Sequence, residues 1–182
     1  MIARSWKWIA ATLLVAAIVH GATVFLLPHL IMIRTMAGIA KLAGGTNTIM
    51  HAPRSTWRSR GVVRPSPDLL YSICVYDLGA ADGAIRITTH DMPETYWSVS
   101  VFDANTNNFY ALNDRQAKTG AVDFLLVGPG RFAGAGQSPV IEAPTNRGIV
   151  LFRTLVHDES HIAEIDAARH YAACEPHRAA GG

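Results

Sequence analysis

The feature that most constrains this chain is a long uncharged stretch near its N-terminus. No Asp, Glu, Lys or Arg occurs between Trp8 and Ile33. Its most apolar part runs from Trp8 to Leu27, and as an α-helix these residues span about 30 Å, which matches the hydrocarbon core of a bilayer. We therefore predict an N-terminal transmembrane anchor over residues 1–33, with Pro28 ending or kinking the helix.

A cleaved signal peptide is the alternative interpretation of this stretch. The apolar core of such a peptide is usually about 7–15 residues long and is followed by a cleavage site of small residues. The stretch here is longer and its sequence offers no such site, which favours an uncleaved anchor. Basic residues flank both of its ends, Arg4 and Lys7 before it and Arg34 and Lys41 after it. They oppose each other in the positive-inside rule, so the span alone does not set the orientation.

The distribution of charged residues divides the chain into two parts. Residues 1–67 carry eight of the 16 basic residues and no acidic residue, whereas residues 68–182 carry all 14 acidic residues. We predict a basic juxtamembrane linker over residues 34–60. The part between 34 and 50 suits a short amphipathic helix on the membrane surface, with Met36, Ile39 and Leu42 on one face. The linker suits anionic lipid, an acidic partner or plain solvent; no nucleic-acid partner is predicted.

Residues 61–182 have the pattern of a β-rich domain. Short apolar or alternating segments are separated by turn residues, and Asp82-Gly83 is a strong hairpin signal. The pattern predicts a mainly β fold, an antiparallel sandwich or a jelly-roll-like domain, followed by a C-terminal helix from Ser160 to Ala173. The predicted strands cover residues 69–76, 85–89, 96–102, 109–112, 122–127, 138–142 and 148–156.

Polar residues at the start of the first strand form a candidate polar pocket. Arg64, Asp68 and Tyr71 lie close in sequence, and Arg147 precedes another core strand. Asp68 would act as a general base while Arg64 holds an anion. The structural interpretation, in which Asp68 closes a turn after Pro67 and pairs with Arg64, is the one we favour.

Other motifs give no clear cofactor or metal site. The oxygen-rich segment 103–114 suits turn chemistry better than calcium, and the late histidines lack a His-Glu-x-x-His pattern. The glycine loop 128–136 lacks the residues of a phosphate loop. We predict no cofactor and no bound metal, and leave open whether the protein is an enzyme. Cys74 and Cys174 form one disulfide in an oxidising compartment or remain buried free thiols.

Several segments together resemble a bacterial family known as domain of unknown function 1254. The resemblance extends over roughly residues 45–175. It is carried by Val62-Val63-Arg64-Pro65-Ser66-Pro67-Asp68-Leu69-Leu70-Tyr71-Ser72, Val75-Tyr76-Asp77-Leu78, Tyr96-Trp97-Ser98-Val99-Ser100-Val101-Phe102, Asn108-Phe109-Tyr110, Asn113-Asp114-Arg115-Gln116 and Pro144-Thr145-Asn146-Arg147-Gly148-Ile149-Val150-Leu151-Phe152-Arg153.

The resemblance implies a β-rich module without an established reaction, so no catalytic residue is carried over. Longer members join it to a second β-rich domain, domain of unknown function 1214, and short members are membrane-anchored envelope proteins. We therefore expect a single-pass protein of the bacterial inner membrane with a periplasmic domain. Its expected role is a binding or assembly module that works with a separately encoded 1214-type subunit. The alternative is a hydrolase-like enzyme with a pocket around Asp68 and Tyr71.

Overall fold

The computed structural model describes residues 2–59, 65–117, 120–131 and 138–177, with side chains from Ser5 onward. One long helix opens the chain, and short strands make up most of the remaining residues. The elements are α1 (Ile2–Ala43), β1 (Ile49–His51), β2 (Leu69–Asp77), β3 (Ala84–Thr89), β4 (Trp97–Asp103), β5 (Asn108–Asn113), β6 (Val122–Val127), β7 (Val140–Glu142), β8 (Arg147–Leu155), a 3-10 turn (Glu159–His161), α2 (Ile162–Arg169) and β9 (Ala173–Pro176).

The strands form two sheets that pack face to face. The larger sheet has the order β1-β2-β8-β4-β5 and is antiparallel throughout. The smaller sheet has the order β7-β6-β3-β9, in which only the pair of β6 and β7 is parallel. The predicted mainly β sandwich with one helix at each end of the chain is confirmed.

The core lies between the inner faces of the two sheets. Side chains alternate along each strand, so every second residue of β2, β4 and β8 points inward. Tyr76, Val99 and Val150 come from the larger sheet, and Ile87 and Phe124 come from the smaller one. All five are at most 1% exposed, which shows that the sandwich excludes water along its centre.

The observed strands agree with the predicted segments to within about two residues, with three differences. β1 lies inside the predicted linker and pairs with β2. β9 was not predicted: the predicted helix ends at Ala173, but the observed helix stops at Arg169, and the chain from Ala173 pairs with β3. Asp82 and Gly83 have the positive φ angles expected of a tight turn. They do not make a hairpin, however, because β2 and β3 belong to different sheets.

Helix α1 is a single helix of 42 residues, about 63 Å long, and its two parts have different surroundings. Residues 5–27 are almost entirely exposed. Beyond Pro28 the helix packs on the outer face of the larger sheet, where Met32 and Met36 are buried against Val75 and Ile149. The His29 ring nitrogen Nδ1 lies 3.0 Å from the Ala104 carbonyl oxygen.

The predicted membrane-surface helix is therefore wrong in two respects. Residues 34–43 continue the first helix, and Met36 and Ile39 contact protein instead of lipid. Leu42, predicted on the same face, is 77% exposed. The prediction failed because a helical face that suits lipid suits an apolar sheet equally well.

The two ends of the docked part show how α1 lies on the sheet. His29 contacts Ala104, directly after β4. At the other end, Gly45 donates to the Ala40 carbonyl and Asn47 to that of Val75, after which the chain enters β1. The helix therefore crosses the strands from the β4 side to the β1 edge. Its exposed part leaves the domain on the side of the β4–β5 hairpin.

Candidate functional site

Three of the four residues of the predicted polar pocket are described by the structure, and these three do not come together at one place. Asp68 and Tyr71 lie at the start of β2, whereas Arg147 is paired with Asp77 at its end. Leu69 and Asp77 are eight residues apart on the strand, a distance of about 26 Å. Arg64 lies outside the described residues.

At the start of β2, the polar groups are used in local turn contacts. The Ser66 backbone N–H donates to the Tyr71 hydroxyl at 3.0 Å, and the Asp68 N–H donates to the Ser66 hydroxyl at 3.3 Å. The Asp68 carbonyl oxygen accepts from Val156 at 2.8 Å, and the Asp68 residue itself is exposed. These contacts fix the entry into β2 and leave Tyr71 with its hydroxyl engaged.

At the other end of β2, Arg147 forms an ion pair with Asp77. The Arg147 Nε donates to Asp77 Oδ2 at 2.7 Å, and the Ala80 N–H donates to Oδ1 at 3.2 Å. Burial works to raise the pKa of Asp77, but the Arg147 hydrogen bond and the Ala80 and Gly79 N–H groups outweigh it, and the pKa is lowered. The pair joins the end of β2 to the start of β8.

The neighbouring glycine shows that this end is a packing site. A β-carbon at Gly148 would overlap the Phe102 carbonyl oxygen and the Tyr76 ring, so only glycine fits there. The Tyr76 hydroxyl donates to the same carbonyl at 3.2 Å, and burial raises the Tyr76 pKa well above its usual value. The Thr145 hydroxyl bridges the Ala104 N–H and the Arg147 carbonyl. The motif 144–148 thus holds three strand ends together.

The arginine that faces Tyr71 across the strands is Arg153, which the predicted pocket did not include. Arg153 pairs with Tyr71 on one side and with Ser98 on the other, so all three lie on the outer face of the larger sheet. The Arg153 Nη2 donates to the Ser100 hydroxyl at 2.9 Å. Two buried atoms of this group, Arg153 Nε and Ser98 Oγ, have no hydrogen-bond partner within the described part of the chain. The alternation of polar and apolar residues in the sequence already placed Ser98 and Ser100 on one face, but not opposite Arg153.

A cleft of about 480 Å³ lies at one end of the sandwich, between the loop before β4 and the turn after β5. Trp97 and Met92 provide apolar surface, and Tyr96 is 41% exposed beside them. Asp114 contributes its carboxylate, of which Oδ1 is buried with no hydrogen-bond partner among the described residues. A buried acceptor of this kind is costly unless a ligand or water donates to it. The cleft is lined by Met92, Pro93, Glu94, Thr95, Tyr96, Trp97, Asp114, Arg115 and Gly120.

The late histidines and cysteines do not gather around a common centre. Cys74 and Cys174 form a disulfide that links β2 to β9 and so ties the two sheets together. The His157 and His161 rings stack with centroids 5.9 Å apart, and the His51 ring lies 4.0 Å from the His170 ring. In residues 2–59, 65–117, 120–131 and 138–177, no three His, Cys, Asp or Glu side chains are placed to hold a metal ion.

At the β1 edge of the larger sheet, the pKa of His51 is shifted by its surroundings. Its Nδ1 lies 2.8 Å from the Ser72 hydroxyl. Burial, with further contributions from His170 and Arg169, lowers the pKa of His51 to about 4. Arg169 also donates to the Ala52 and Tyr71 carbonyls, which seats α2 over this edge.

Comparisons with known proteins place the fold and the family. The VPA0106 protein from Vibrio parahaemolyticus matches with a TM-score of 0.53 and 14% identity, over 72% of this chain and 34% of that chain. An uncharacterized protein from Burkholderia cenocepacia has a TM-score of 0.48 and 15% identity, over 75% of this chain and 37% of that chain. This chain thus spans about a third of the length of these structures. No curated protein matches it. The family model described as protein of unknown function (DUF1254) matches residues 46–176, so this chain belongs to the DUF1254 family.

Proposed function

We propose that this protein is a membrane-anchored binding or assembly module, single-pass in the bacterial inner membrane with its β domain in the periplasm. The observation that carries the proposal is the continuity of α1. Residues 5–27 form an exposed apolar helix, and the same helix then docks on the sheet. The exposed part is about 34 Å long, enough to cross the hydrocarbon core.

The disulfide supports the periplasmic location. Disulfides form and persist in oxidising compartments such as the bacterial periplasm, and they are rare in the cytosol. Cys74 and Cys174 are both buried in the domain core, at 0% and 3% exposure. The anchor would then have its N-terminus in the cytoplasm.

Topology reporters test the location directly. Alkaline phosphatase fused after Gly182 should be active, because that enzyme needs an oxidising compartment for its own disulfides. Green fluorescent protein at the same position should remain dark. The reverse pattern, with bright fluorescence and no phosphatase activity, would place the domain in the cytoplasm and contradict the proposal.

The second part of the proposal is a separately encoded partner of the 1214 type. This chain covers 34% of the Vibrio chain, in which the same fold is accompanied by a much longer polypeptide. The tagged full chain would be captured from detergent-solubilised membranes and its companion identified by mass spectrometry. We expect a stoichiometric complex with a β-rich subunit that aligns with the remainder of the longer chains. A strictly monomeric protein in native mass spectrometry would contradict this part.

The cleft beside Asp114 supports a second candidate function, the binding of a small ligand. A hydrogen-bond donor such as an amine would satisfy the buried Oδ1, and an attached ring would rest on Tyr96 and Trp97. Benzylamine is a suitable probe, observed by NMR on the full chain in nanodiscs. Asp114→Asn should weaken its binding, whereas Asp82→Asn, in a distant exposed turn, should not. Equal binding by both variants would remove this candidate. Hydrolase-like chemistry around Asp68 and Tyr71 stays a prediction.

A further inference from the structure

We infer that the turn and the edge strand β5 of the β4–β5 hairpin, residues 104–113, rest on the lipid headgroups and hold the domain at a fixed orientation on the membrane. This inference rests on the proposed membrane anchor and goes beyond it. It names a second lipid contact, made by the β domain itself. The protein would then contact the membrane at two places, through the span and through the β domain.

The turn of the hairpin lies next to α1 just beyond the predicted span. If the hydrocarbon core ends near Leu27, the headgroup layer, about 5–8 Å thick, extends over roughly residues 28–32 at 1.5 Å per residue. His29 lies in that interval and contacts Ala104, the first residue of the hairpin turn. The turn is therefore at headgroup depth.

The direction of α1 on the sheet determines which edge of the domain lies near the span. Because α1 crosses the sheet from the β4 side to the β1 edge, its exposed part leaves the domain beside β5, the edge strand next to β4. The hairpin is consequently the part of the larger sheet that comes closest to the span. The opposite edge, with β1 and α2, points away from it.

The composition of this segment also suits contact with lipid headgroups. Residues 104–113 contain four Asn, one Thr, two Ala and no charged side chain. Phe109, Tyr110 and Leu112 pack against the core, so the surface that this segment exposes is made by Asn105, Thr106, Asn107, Asn108 and Ala111. The preceding Asp103 is buried, and its carboxylate accepts from the Asn105 and Asn107 N–H groups, so it places no free charge at the surface. The exposed surface of the segment is therefore polar and uncharged, and Asn side-chain amides can donate hydrogen bonds to the oxygens of lipid headgroups.

The far end of the domain is very different in charge. The segment from the 3-10 turn through α2 exposes several charged or ionisable side chains, which suit solvent. Arg34, exposed on the helix beyond the headgroup interval, is placed to reach lipid phosphate. The acidic residues of the far segment are Glu159, Glu164 and Asp166, with Asp158 directly before it, and Arg169 of α2 is buried.

Depth-dependent fluorescence quenching tests the inference. Both native cysteines are in the disulfide, so one introduced cysteine provides a single thiol for an environment-sensitive label. The full chain would be labelled without reductant at Leu14→Cys in the span, Asn105→Cys in the hairpin turn or Ala167→Cys on α2. Asn105 bonds to Asp103 through its backbone N–H, which the substitution keeps. Asn108→Cys, the first residue of β5, provides an independent hairpin site in case Asn105→Cys misfolds.

The variants are placed in vesicles of phosphatidylcholine and phosphatidylglycerol that contain a nitroxide on either the headgroup or the acyl chain. We expect the acyl-chain nitroxide to quench most of the emission at position 14 and the headgroup nitroxide to quench most of it at positions 105 and 108. Position 167 should keep its emission with both. If position 14 is quenched while 105 and 108 are not, the inference is wrong and the anchor stands. A blue shift at 105 without quenching would indicate a protein interface and would also overturn it. If position 14 is not quenched, the anchor itself is wrong.

Discussion

The two parts of α1 have similar apolar content but opposite surroundings. In residues 5–27 the apolar side chains cover all sides of the helix and stay exposed, whereas in residues 29–43 one side packs on the sheet. Apolar residues on the other sides of this part stay exposed, namely Leu30, Ile31, Ile33 and Leu42. Met32, Met36 and Ala40 recur at intervals of four residues on the docked side, while Arg34 and Lys41 are exposed. The difference teaches that hydropathy reports how much apolar surface a helix has. Which part of that surface is covered by protein depends on the sheet that the helix meets.

The largest effect should come from the disulfide, which stabilises the β domain and not the membrane span. It closes a loop of 100 residues between Cys74 and Cys174, so its loss should lower the free energy of unfolding of the domain by about 4 kcal/mol. Urea unfolding of the full chain in nanodiscs, with and without reductant, measures this.

The double variant Cys74→Ala with Cys174→Ala is the control for the disulfide prediction. It should show the lower stability in both conditions, with unchanged membrane insertion. Equal midpoints for the oxidised and reduced wild-type protein would show that the bridge adds nothing to stability.

Val15→Arg should impair membrane insertion of the span and not the stability of the domain. Val15 is exposed in the middle of the apolar part, and a charge near the bilayer centre costs about 3 kcal/mol of insertion free energy. A glycosylation-reporter insertion assay should therefore show a large loss of spanning molecules, while Val15→Leu retains full insertion. If Val15→Arg inserts normally, residues 5–27 do not cross the hydrocarbon core.

Met36→Ala should have the converse effect, on the domain and not on insertion. Met36 is buried between the helix and the sheet, and truncating such a side chain costs about 2 kcal/mol or slightly more. The matched control is Leu42→Ala, on the same helix but 77% exposed, which should leave the unfolding midpoint unchanged. Equal effects of the two substitutions would mean that the docked part does not stabilise the domain.

The smallest expected effect is a pH dependence at β1, the strand that comes after the docked helix. The folded pKa of His51, about 4, lies below its ordinary value of 6.5, so between these values the unfolded state binds more protons. This contribution to stability is complete above pH 6.5 and is lost as the pH falls toward 4. Allowing for solvent screening, we expect about 1 kcal/mol. His51→Gln should reduce the slope of stability against pH in this window. An unchanged slope would contradict the assignment.

Much of the fold was predictable because local pattern decides it. The alternation in Tyr96–Phe102, the apolar run in Gly148–Val156 and the turn residues between strands follow from side-chain periodicity and backbone chemistry. The strands that were missed are β1 and β9, of three and four residues. Segments this short have no periodicity of their own, and they become strands because β2 and β3 offer them a free edge.

The candidate pocket was predicted less well than the fold. Arg147 and Arg153 both belong to the same core strand, and sequence distance does not say which of them faces Tyr71. The antiparallel register does, by pairing Tyr71 with Arg153 and Asp77 with Arg147. The cleft beside Asp114 could not be found from the sequence, because its walls come from a loop and a turn whose approach depends on the β4–β5 pairing.

By itself, the sequence determined an apolar helix long enough to span a bilayer, a β-rich domain and the family resemblance, since these depend on local composition and order. Only the tertiary structure decided where that helix ends its exposed part, which arginine faces which acid, and that Cys74 meets Cys174. The physical reason is that register and packing bring together residues far apart in the chain, and those contacts depend on the whole sandwich being formed.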